Sequence, residues 1–467
     1  MFFDRLFLFA HALQARDDLP IPEWLFAWGA SLVLLVSFGL LSFSWRTARL
    51  QEEDWRTLPQ GLSTALLNPV VEVLCGALGV LLLGVTIYSG LNGTEAPDRN
   101  FSVTFVFVTF WLGPVALSTL FGDFFRAFNP WRAIARTVSG AFRLVAGQQA
   151  PAALKYPDWL GVWPAVVGLF SFVWLELIYG ATGLTGGIDP HSVAVAALIY
   201  TVITLVAMTL FGIDEWLERG ETFSVYFHMF STLSVLEVRD GRLGRRRFLS
   251  GSTSWGLLAG MLPLVLLAIG STSFDGAQEG LLQTPIRDTF EWFTDRGLGP
   301  IAAYRINATA WLLIVVGGMS GMYLFGIAGM RTVRGSPPFR ELARSFAHTL
   351  IPISLAYLVA HYFSLVVFQE QAQFTYLLSD PLGDGSNLFG TADNGVNFGL
   401  IGSNAIWYTQ VAALVVGHVI ALTLAHDRAL AVYDGDIKRA TRSQYWMLAV
   451  MVSFTSFGLF LLSQANA

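Results

Sequence analysis

Long apolar runs alternate with short polar segments along the whole chain. A helix needs about 20 apolar residues to cross the hydrocarbon core, where only helices and closed barrels satisfy their backbone polar groups. The pattern therefore predicts an all-α, polytopic transmembrane bundle of about ten spans. We place the spans at residues 23–45, 68–90, 101–121, 161–180, 192–213, 254–273, 306–330, 346–368, 404–426 and 443–463.

The composition supports a lipid-embedded body. Of 467 residues, 54% are hydrophobic and 13% are charged, whereas soluble domains carry about 25% charged residues. We predict a single integral domain over residues 1–467, multi-pass in the inner (cell) membrane, with the lipid bilayer as its main partner. Homo- or hetero-oligomers stay open, and no nucleic-acid partner is expected. Cys75 is the one cysteine, which excludes an internal disulfide framework.

The distribution of Lys and Arg predicts the orientation of the bundle. Of 28 such residues, 22 fall in alternate connections, and the other connections with the two ends hold 6. Positive charge concentrates on the cytoplasmic side of membrane proteins. Both termini are therefore predicted to lie outside.

Three connections are long enough to have structure of their own. Residues 122–150 mix Arg with Phe and Trp, which predicts a cytoplasmic amphipathic segment. Within the cytoplasmic segment 214–253, the apolar stretch 223–236 is too short to span, so it is predicted to be interfacial or re-entrant. Residues 369–403 form a long extracytoplasmic loop without Lys or Arg, which we interpret as a surface loop, with a lid or cation site as the alternative.

Ionisable residues inside spans are costly and face a partner or a cavity, so they indicate where chemistry could occur. Glu176 and His361 lie in the outer parts of their spans, at depths near the extracellular Asp18 and His11. We predict that His361, Glu176 and Asp18 form a catalytic group and that Glu176 and His361 reach a common ion or water. Hydrogen bonds to neighbouring helices are the alternative role for each.

A second group of polar residues lies deeper: Glu72, His228, His348, His418, His426 and Asp427. Imidazole is the commonest metal ligand, so His11, His361, His418, His426 and Asp427 are candidate ligands for a divalent transition metal such as zinc, copper or manganese. The heights of His361 and His418 differ by roughly 10 Å at 1.5 Å per residue, which argues against a haem held between them.

Four stretches of sequence carry a family resemblance. They are His11 with the DDLPIP that follows Asp17, FNPWRAIAR at 128–136, AYLVAHYFSLVVFQEQ at 356–371 and GHVIALTLAHDRAL at 417–430. Together they resemble a family of multi-spanning bacterial membrane proteins catalogued as fenitrothion hydrolases, over nearly the whole chain. The resemblance implies metal-assisted hydrolysis of an organophosphate triester. The matching polar positions are His11, Asp18, His361, His418, His426 and Asp427.

Three functions remain as hypotheses from the sequence. The first is a membrane-embedded hydrolase of the resembled family, with an unknown natural substrate. The second is an ion-coupled transporter or permease that uses His418, Glu72 and Glu176 as coupling groups. The third is a non-catalytic subunit of a membrane complex.

Overall fold

Helices make up 74% of the structure, so the fold is mostly helical as predicted, with one small sheet that the all-α prediction did not include. The computed structural model describes residues 23–51, 54–147, 152–182, 187–278 and 280–465. Each predicted span corresponds to a long helix: α1 Glu23–Ser44, α2 Pro69–Asn92, α3 Phe101–Phe121, α4 Trp163–Thr182, α5 Pro190–Phe211, α6 Met261–Gln278, α7 Pro300–Met330, α8 Ile351–Phe374, α9 Ser403–Val432 and α10 Tyr445–Ala465.

Seven of these helices, α2 to α5 and α7 to α9, are long and apolar enough to cross a membrane by length and composition, among the residues that the structure describes. Many large apolar side chains, such as Phe43, Val70 and Val416, are exposed on the outward faces of the helices. Such helices are stable only where lipid covers those faces. These features are typical of a membrane protein.

Shorter helices connect the long ones. In the described ranges the short α-helices are Gln60–Leu66, Phe125–Phe128, Pro130–Ala146, Ile213–Arg219, Thr222–Ser231, Gln283–Thr294, Phe339–Ser345, Tyr376–Ser379 and Ile437–Ser443. Single 3₁₀ segments occur at Pro97–Arg99, Asp158–Leu160, Gly180–Thr182, Ser250–Ser254 and Ala347–Leu350. Two π turns interrupt spans, at Phe105–Phe110 in α3 and Leu175–Tyr179 in α4.

A small antiparallel sheet joins two connections that the charge distribution places on the cytoplasmic side. Its strands are β1 (Arg56–Thr57), β2 (Leu236–Arg239) and β3 (Arg242–Arg245), in the order β1-β3-β2. Strands β2 and β3 pair with Arg239 opposite Arg242. The two-residue Asp-Gly turn between them has φ of 50° at Asp240 and 72° at Gly241, as a tight hairpin requires.

Helix α6 lies in the centre of the bundle. It packs against α4, α7, α8 and α10, and every residue from Leu264 to Ala277 is buried. Gly270 lets α6 and α7 approach closely, because a Cβ there would lie 2.8 Å from the Cα of Val316. The predicted span 254–273 is therefore shifted: residues up to Gly260 precede the helix, and the helix continues to Gln278.

The 122–150 segment contains the helix Pro130–Ala146, which has apolar residues exposed at Val138, Phe142 and Leu144 among its basic residues. Asn129 caps it, since Arg132 N donates a 2.9 Å bond to Asn129 Oδ1. An exposed apolar face beside arginines is the pattern of a helix at a lipid interface.

The short apolar stretch of the 214–253 segment folds into the helix Thr222–Ser231. Most of its side chains, including Phe223, Phe227 and Phe230, are buried inside the bundle. Its N-cap Glu221 is fully buried and accepts bonds from Phe223 N and Ser224 N. The stretch is thus a helix enclosed by protein, which is where a non-spanning segment is tolerated at membrane depth.

The 369–403 segment begins later than predicted, because α8 continues to Phe374. Beyond the short helix Tyr376–Ser379, Asp380 accepts bonds from Asp384 N at 3.1 Å, Gly385 N at 2.9 Å and Ser386 Oγ at 3.0 Å. Burial raises the pKa of Asp380, but these bonds outweigh burial and hold the pKa below its usual value. Asp380 therefore uses its carboxylate to fold its own loop.

Candidate functional site

A buried carboxylate, Asp275, lies near the end of the central helix α6 and is 3% exposed. The turn before it is small and polar, and its hydroxyls bond back to the helix: Thr272 Oγ1 to Ala268 O at 3.1 Å and Ser273 Oγ to Ile269 O at 2.8 Å. These internal bonds let a polar sequence continue as a buried helix. The carboxyl group is thereby carried into the bundle.

Among the described residues, three side chains donate hydrogen bonds to Asp275. His361 Nε2 and Tyr362 Oη lie 2.8 and 2.7 Å from Oδ2, and Gln278 Nε2 lies 3.0 Å from Oδ1. His361 and Tyr362 are consecutive residues of α8, and Gln278 is one turn along α6. An ionised carboxylate accepts all three bonds, with His361 holding its hydrogen on Nε2.

Helix α4 adds a second carboxyl group, Glu176, within its π turn Leu175–Tyr179. Glu176 is half-buried and close enough to Asp275 and Tyr362 to interact electrostatically with both. It has no hydrogen-bond partner among the described residues. We name Glu176, Asp275, Gln278, His361 and Tyr362 the Asp275 cluster.

Two tyrosines extend the polar surroundings of this cluster. Tyr226 is fully buried and stacks on Trp111 at 4.6 Å between ring centroids, and its hydroxyl has no partner within the described ranges. It interacts electrostatically with Tyr362, and Tyr304 does so with Asp275. An unbonded buried hydroxyl is costly, which makes it a natural partner for a water or an ion.

The cluster thus brings Glu176 and His361 to the same carboxylate, Asp275. Two carboxyl groups, an imidazole and phenols can take up a proton or hold a small cation, and the Asp275–His361 pair can orient an imidazole as a base. No group of three or more His, Cys, Asp and Glu able to hold a metal ion occurs in the described part of the chain. The metal site stays a prediction without structural support.

His418 lies in α9, eight residues before His426, and among the described residues no hydrogen bond joins it to another predicted ligand. It is fully buried, and its Nδ1 donates a 2.8 Å bond to Leu414 O one turn earlier. Its Nε2 has no partner among the described residues, and its ring lies 6.3 Å from that of Tyr357 between centroids. This is the arrangement of a neutral histidine bonded to its own helix.

His426 and Asp427 form a separate group that holds the connection after α1. Asp427 accepts bonds from Trp45 Nε1 at 2.9 Å, Arg49 N at 2.6 Å, Leu50 N at 3.1 Å and Gln51 Nε2 at 2.9 Å. Its oxygens are therefore occupied by the 45–51 segment, which leaves them badly placed to bind a metal.

His426 is bonded through both ring nitrogens. Its Nε2 donates to Trp45 O at 3.0 Å, and Gln444 Nε2 donates to its Nδ1 at 3.1 Å. The two bonds together fix a neutral ring with its hydrogen on Nε2. We name Trp45, Gln51, His426, Asp427 and Gln444 the Asp427 cluster.

Glu72, a predicted coupling group, lies at the start of α2 and is paired. Its Oε1 contacts Arg132 and lies 2.5 Å from Arg136 Nη1, both in the helix Pro130–Ala146. The ion pairs attach that helix to α2, so Glu72 holds two helices together. His11 and Asp18 lie outside the described residues.

A large apolar cavity of about 1030 Å³ lies between α2, α3, α4, α5 and the helix Thr222–Ser231. Leu175 lines it, whereas Glu176 does not, and neither do Asp275, His361 or Tyr362. Helix α4 therefore separates the cavity from the Asp275 cluster.

The sequence pointed to Glu176 and His361 but missed Asp275, Gln278 and Tyr362. Asp275 fell in a predicted loop because the preceding glycine, serines and threonine end the apolar run. One signal was present: an aspartate and a glutamine three residues apart directly after an apolar helix, without an intervening Pro. Tyr362 follows His361 in an apolar run, where a tyrosine gives no distinct signal of a polar site.

Comparison with known proteins gave no family to which the chain can be assigned: no family model, curated protein or solved structure matches it. The resemblance to the fenitrothion hydrolases therefore stays a prediction.

Proposed function

We propose that the chain is a multi-pass protein of the inner membrane, with ten spans and both termini outside, that works as an ion-coupled permease. The Asp275 cluster would take up and release the coupling proton or small cation. The lipid bilayer is its main partner, and assembly with other membrane proteins stays open.

One observation carries this proposal: Glu176 has no hydrogen-bond partner among the described residues although it interacts electrostatically with the bonded Asp275. An unpaired carboxylate at membrane depth has an unfavourable free energy, and binding a proton or a cation removes most of that cost. A second carboxylate nearby increases that preference. The cluster therefore has the composition of a site that exchanges a small positive ion.

Burial favours an ion over a large substrate. The side chains of Asp275 and His361 are only 4% and 13% exposed, and the apolar cavity lies on the other side of α4. A proton or a small cation needs only a thin path to such a site, whereas an ester must place its reacting atom within about 3 Å of the base.

A membrane-embedded hydrolase is the second candidate function. The Asp275–His361 pair, 2.8 Å apart, supports it, because a carboxylate that orients an imidazole is the usual support of a general base. In that case His361 would activate water and Asp275 would hold the ring. The resemblance noted in the sequence points the same way.

Everted membrane vesicles test the permease. Vesicles with the full-length chain are energised with lactate, and acridine orange reports the pH gradient while Na⁺, K⁺, amino acids and lipophilic cations are added in turn. We expect at least one addition to dissipate the gradient, and Glu176→Gln to abolish that response. Glu291→Gln, an exposed glutamate in the helix Gln283–Thr294, is the matched control.

Infrared difference spectra provide a readout that needs no substrate. Between pH 5 and 9, the purified wild type should show a protonated-carboxyl band that Glu176→Gln lacks and Glu291→Gln retains. If Glu176→Gln matches the wild type in both assays, the permease proposal is wrong.

A chromogenic assay separates the second candidate. Release of nitrophenolate from a nitrophenyl phosphotriester by purified protein, lost in His361→Gln but kept in Glu291→Gln, would favour the hydrolase. The same rate in all three proteins would remove it.

A further inference from the structure

About a third of the described residues that line the apolar cavity are aromatic. Phe110, Trp131, Phe172 and Phe223 line it, and they pack against one another at centroid distances such as 4.7 Å for Phe110 and Phe223. At about 1030 Å³ its volume is at the upper end of small-molecule pockets. The helices around it are spans, so it lies at membrane depth.

The cavity opens sideways towards the surface that faces lipid. Trp163, Val167, Ile203 and Phe374 line it and are also largely exposed on the outside of the helices. A molecule dissolved in the bilayer can therefore reach it without crossing water.

One carboxylate faces this apolar space. Glu370 of α8 is the only charged residue among the described residues that line the cavity. Its Oε2 accepts a 3.0 Å bond from Thr109 Oγ1, and its Oε1 accepts none from the described residues. Thr109 lies in the π turn Phe105–Phe110, and such turns occur often at functional sites.

We propose that this cavity binds a lipophilic cation, such as an amphiphilic amine or a phosphonium. The apolar body would fill the space between the aromatic rings, and the positive charge would lie near Glu370. Aromatic faces attract cations, and a carboxylate that faces an apolar space is stabilised by a counter-charge. A neutral or anionic molecule of the same shape would leave that carboxylate unpaired.

This inference goes beyond the proposed function and does not rest on it, because no residue of the Asp275 cluster lines the cavity. The inference that the cavity binds a lipophilic cation would therefore stand whether or not Glu176→Gln loses ion coupling.

The test compares two ions of equal shape and opposite charge. Binding of tetraphenylphosphonium and of tetraphenylborate to the purified full-length protein is measured by equilibrium dialysis in dodecyl maltoside and in phosphatidylglycerol nanodiscs. We expect saturable binding of the cation and at least about tenfold weaker binding of the anion.

Two variants locate the site. Glu370→Gln keeps an acceptor for Thr109 and removes the charge, so cation affinity should fall by about tenfold or more. Gly113→Phe should block binding, because Gly113 lines the cavity and a Cβ there meets nothing within 4 Å. Gly317→Phe in α7, where a Cβ also meets nothing within 4 Å, is the matched control and should bind normally.

Unchanged cation binding in Glu370→Gln or in Gly113→Phe would overturn the proposal. So would equal binding of both ions. Native mass spectrometry tests the alternative that a phospholipid occupies the cavity. If a phospholipid co-purifies with the wild type and is lost in Gly113→Phe, and no saturable cation binding is found, the cavity is a lipid site instead. Monodisperse gel filtration of each variant shows that it is folded.

Discussion

The bundle contains two buried histidine–aspartate groups that differ in what surrounds them. In the Asp427 cluster, the carboxylate accepts backbone N–H groups of Arg49 and Leu50 as well as side-chain donors. In the Asp275 cluster, the three hydrogen bonds that the carboxylate accepts from described residues come from side chains, and Glu176, which interacts electrostatically with it, has no hydrogen-bond partner among those residues.

The difference shows how to distinguish a polar group that stabilises the fold from one that can change its protonation or bind an ion. A carboxylate that satisfies backbone donors is part of the fold, because its removal leaves peptide groups unbonded. A carboxylate held by side chains that can rotate or titrate can change its state without unfolding the chain. The predictions below test this distinction.

The largest effect should follow Asp427→Ala. It leaves Arg49 N, Leu50 N and two side-chain donors without an acceptor, and each buried donor left unpaired costs about 1–3 kcal/mol. We expect a loss of about 4 kcal/mol in the free energy of unfolding, or failure to accumulate. Thermal unfolding followed by tryptophan fluorescence measures it, and a midpoint equal to wild type would refute the structural role.

Asp275→Asn should have the opposite pattern, with little effect on stability and a loss of the ion response. Removing one buried charge while keeping the shape should change the free energy of unfolding by less than about 2 kcal/mol. The ion response in vesicles should disappear, because the cluster loses a carboxylate. A variant that unfolds like Asp427→Ala yet keeps its ion response would reverse the comparison.

A matched pair of donor deletions gives a finer test. Tyr362→Phe and Trp45→Phe each remove one hydrogen bond to a buried carboxylate, at a cost of about 1.5 kcal/mol in either cluster. We expect equal losses of thermal stability but a changed pH dependence of the ion response only in Tyr362→Phe. The same altered pH profile in Trp45→Phe would show that both clusters take part in coupling.

The smallest effect concerns a third pair, on the predicted cytoplasmic face. Asp123 Oδ2 lies 3.6 Å from His228 Nδ1. Burial raises the pKa of Asp123, but His228 and Arg126 outweigh it and hold the pKa below its usual value. The stabilisation is therefore complete above the unfolded pKa of about 4 and is lost as pH falls through the lower folded pKa.

Asp123→Asn should accordingly be less stable than wild type at pH 7, by under about 1 kcal/mol because the pair is partly exposed and screened. The gap should close as pH falls below about 4. Unfolding midpoints from pH 7 to pH 3 measure it, and a gap that is independent of pH would contradict the assignment.

The positions of the long helices could be predicted from the sequence, because lipid requires a long apolar run for each span. The error at α6 has a physical cause. Apolar residues such as Trp255 and Leu258 precede the helix. At the other end the helix continues beyond the predicted boundary at residue 273 to Gln278, because the hydroxyls of Ser271–Ser273 bond back to helix carbonyls and let a polar sequence stay helical.

The candidate site could be predicted only in part. Glu176 and His361 were found because ionisable residues in apolar runs are conspicuous, whereas the placement of Asp275 depended on the helix boundary. The sequence did not distinguish His426 and Asp427 from metal ligands, because their partners Trp45 and Gln51 lie more than 370 positions away. Such contacts arise only from tertiary packing.

The π turn of α4 has a mechanical consequence. Leu175 lines the apolar cavity and the next residue, Glu176, interacts electrostatically with Asp275, so one turn of backbone belongs to both the cavity and the Asp275 cluster. A π turn holds an extra residue, and its relaxation to a regular helix would rotate the neighbouring residues by about 100°. A molecule in the cavity that displaces Leu175 would thereby also move the carboxyl group of Glu176. By thermodynamic linkage, the factor by which this molecule changes the proton affinity of Glu176 is also the factor by which protonation of Glu176 changes the affinity for the molecule.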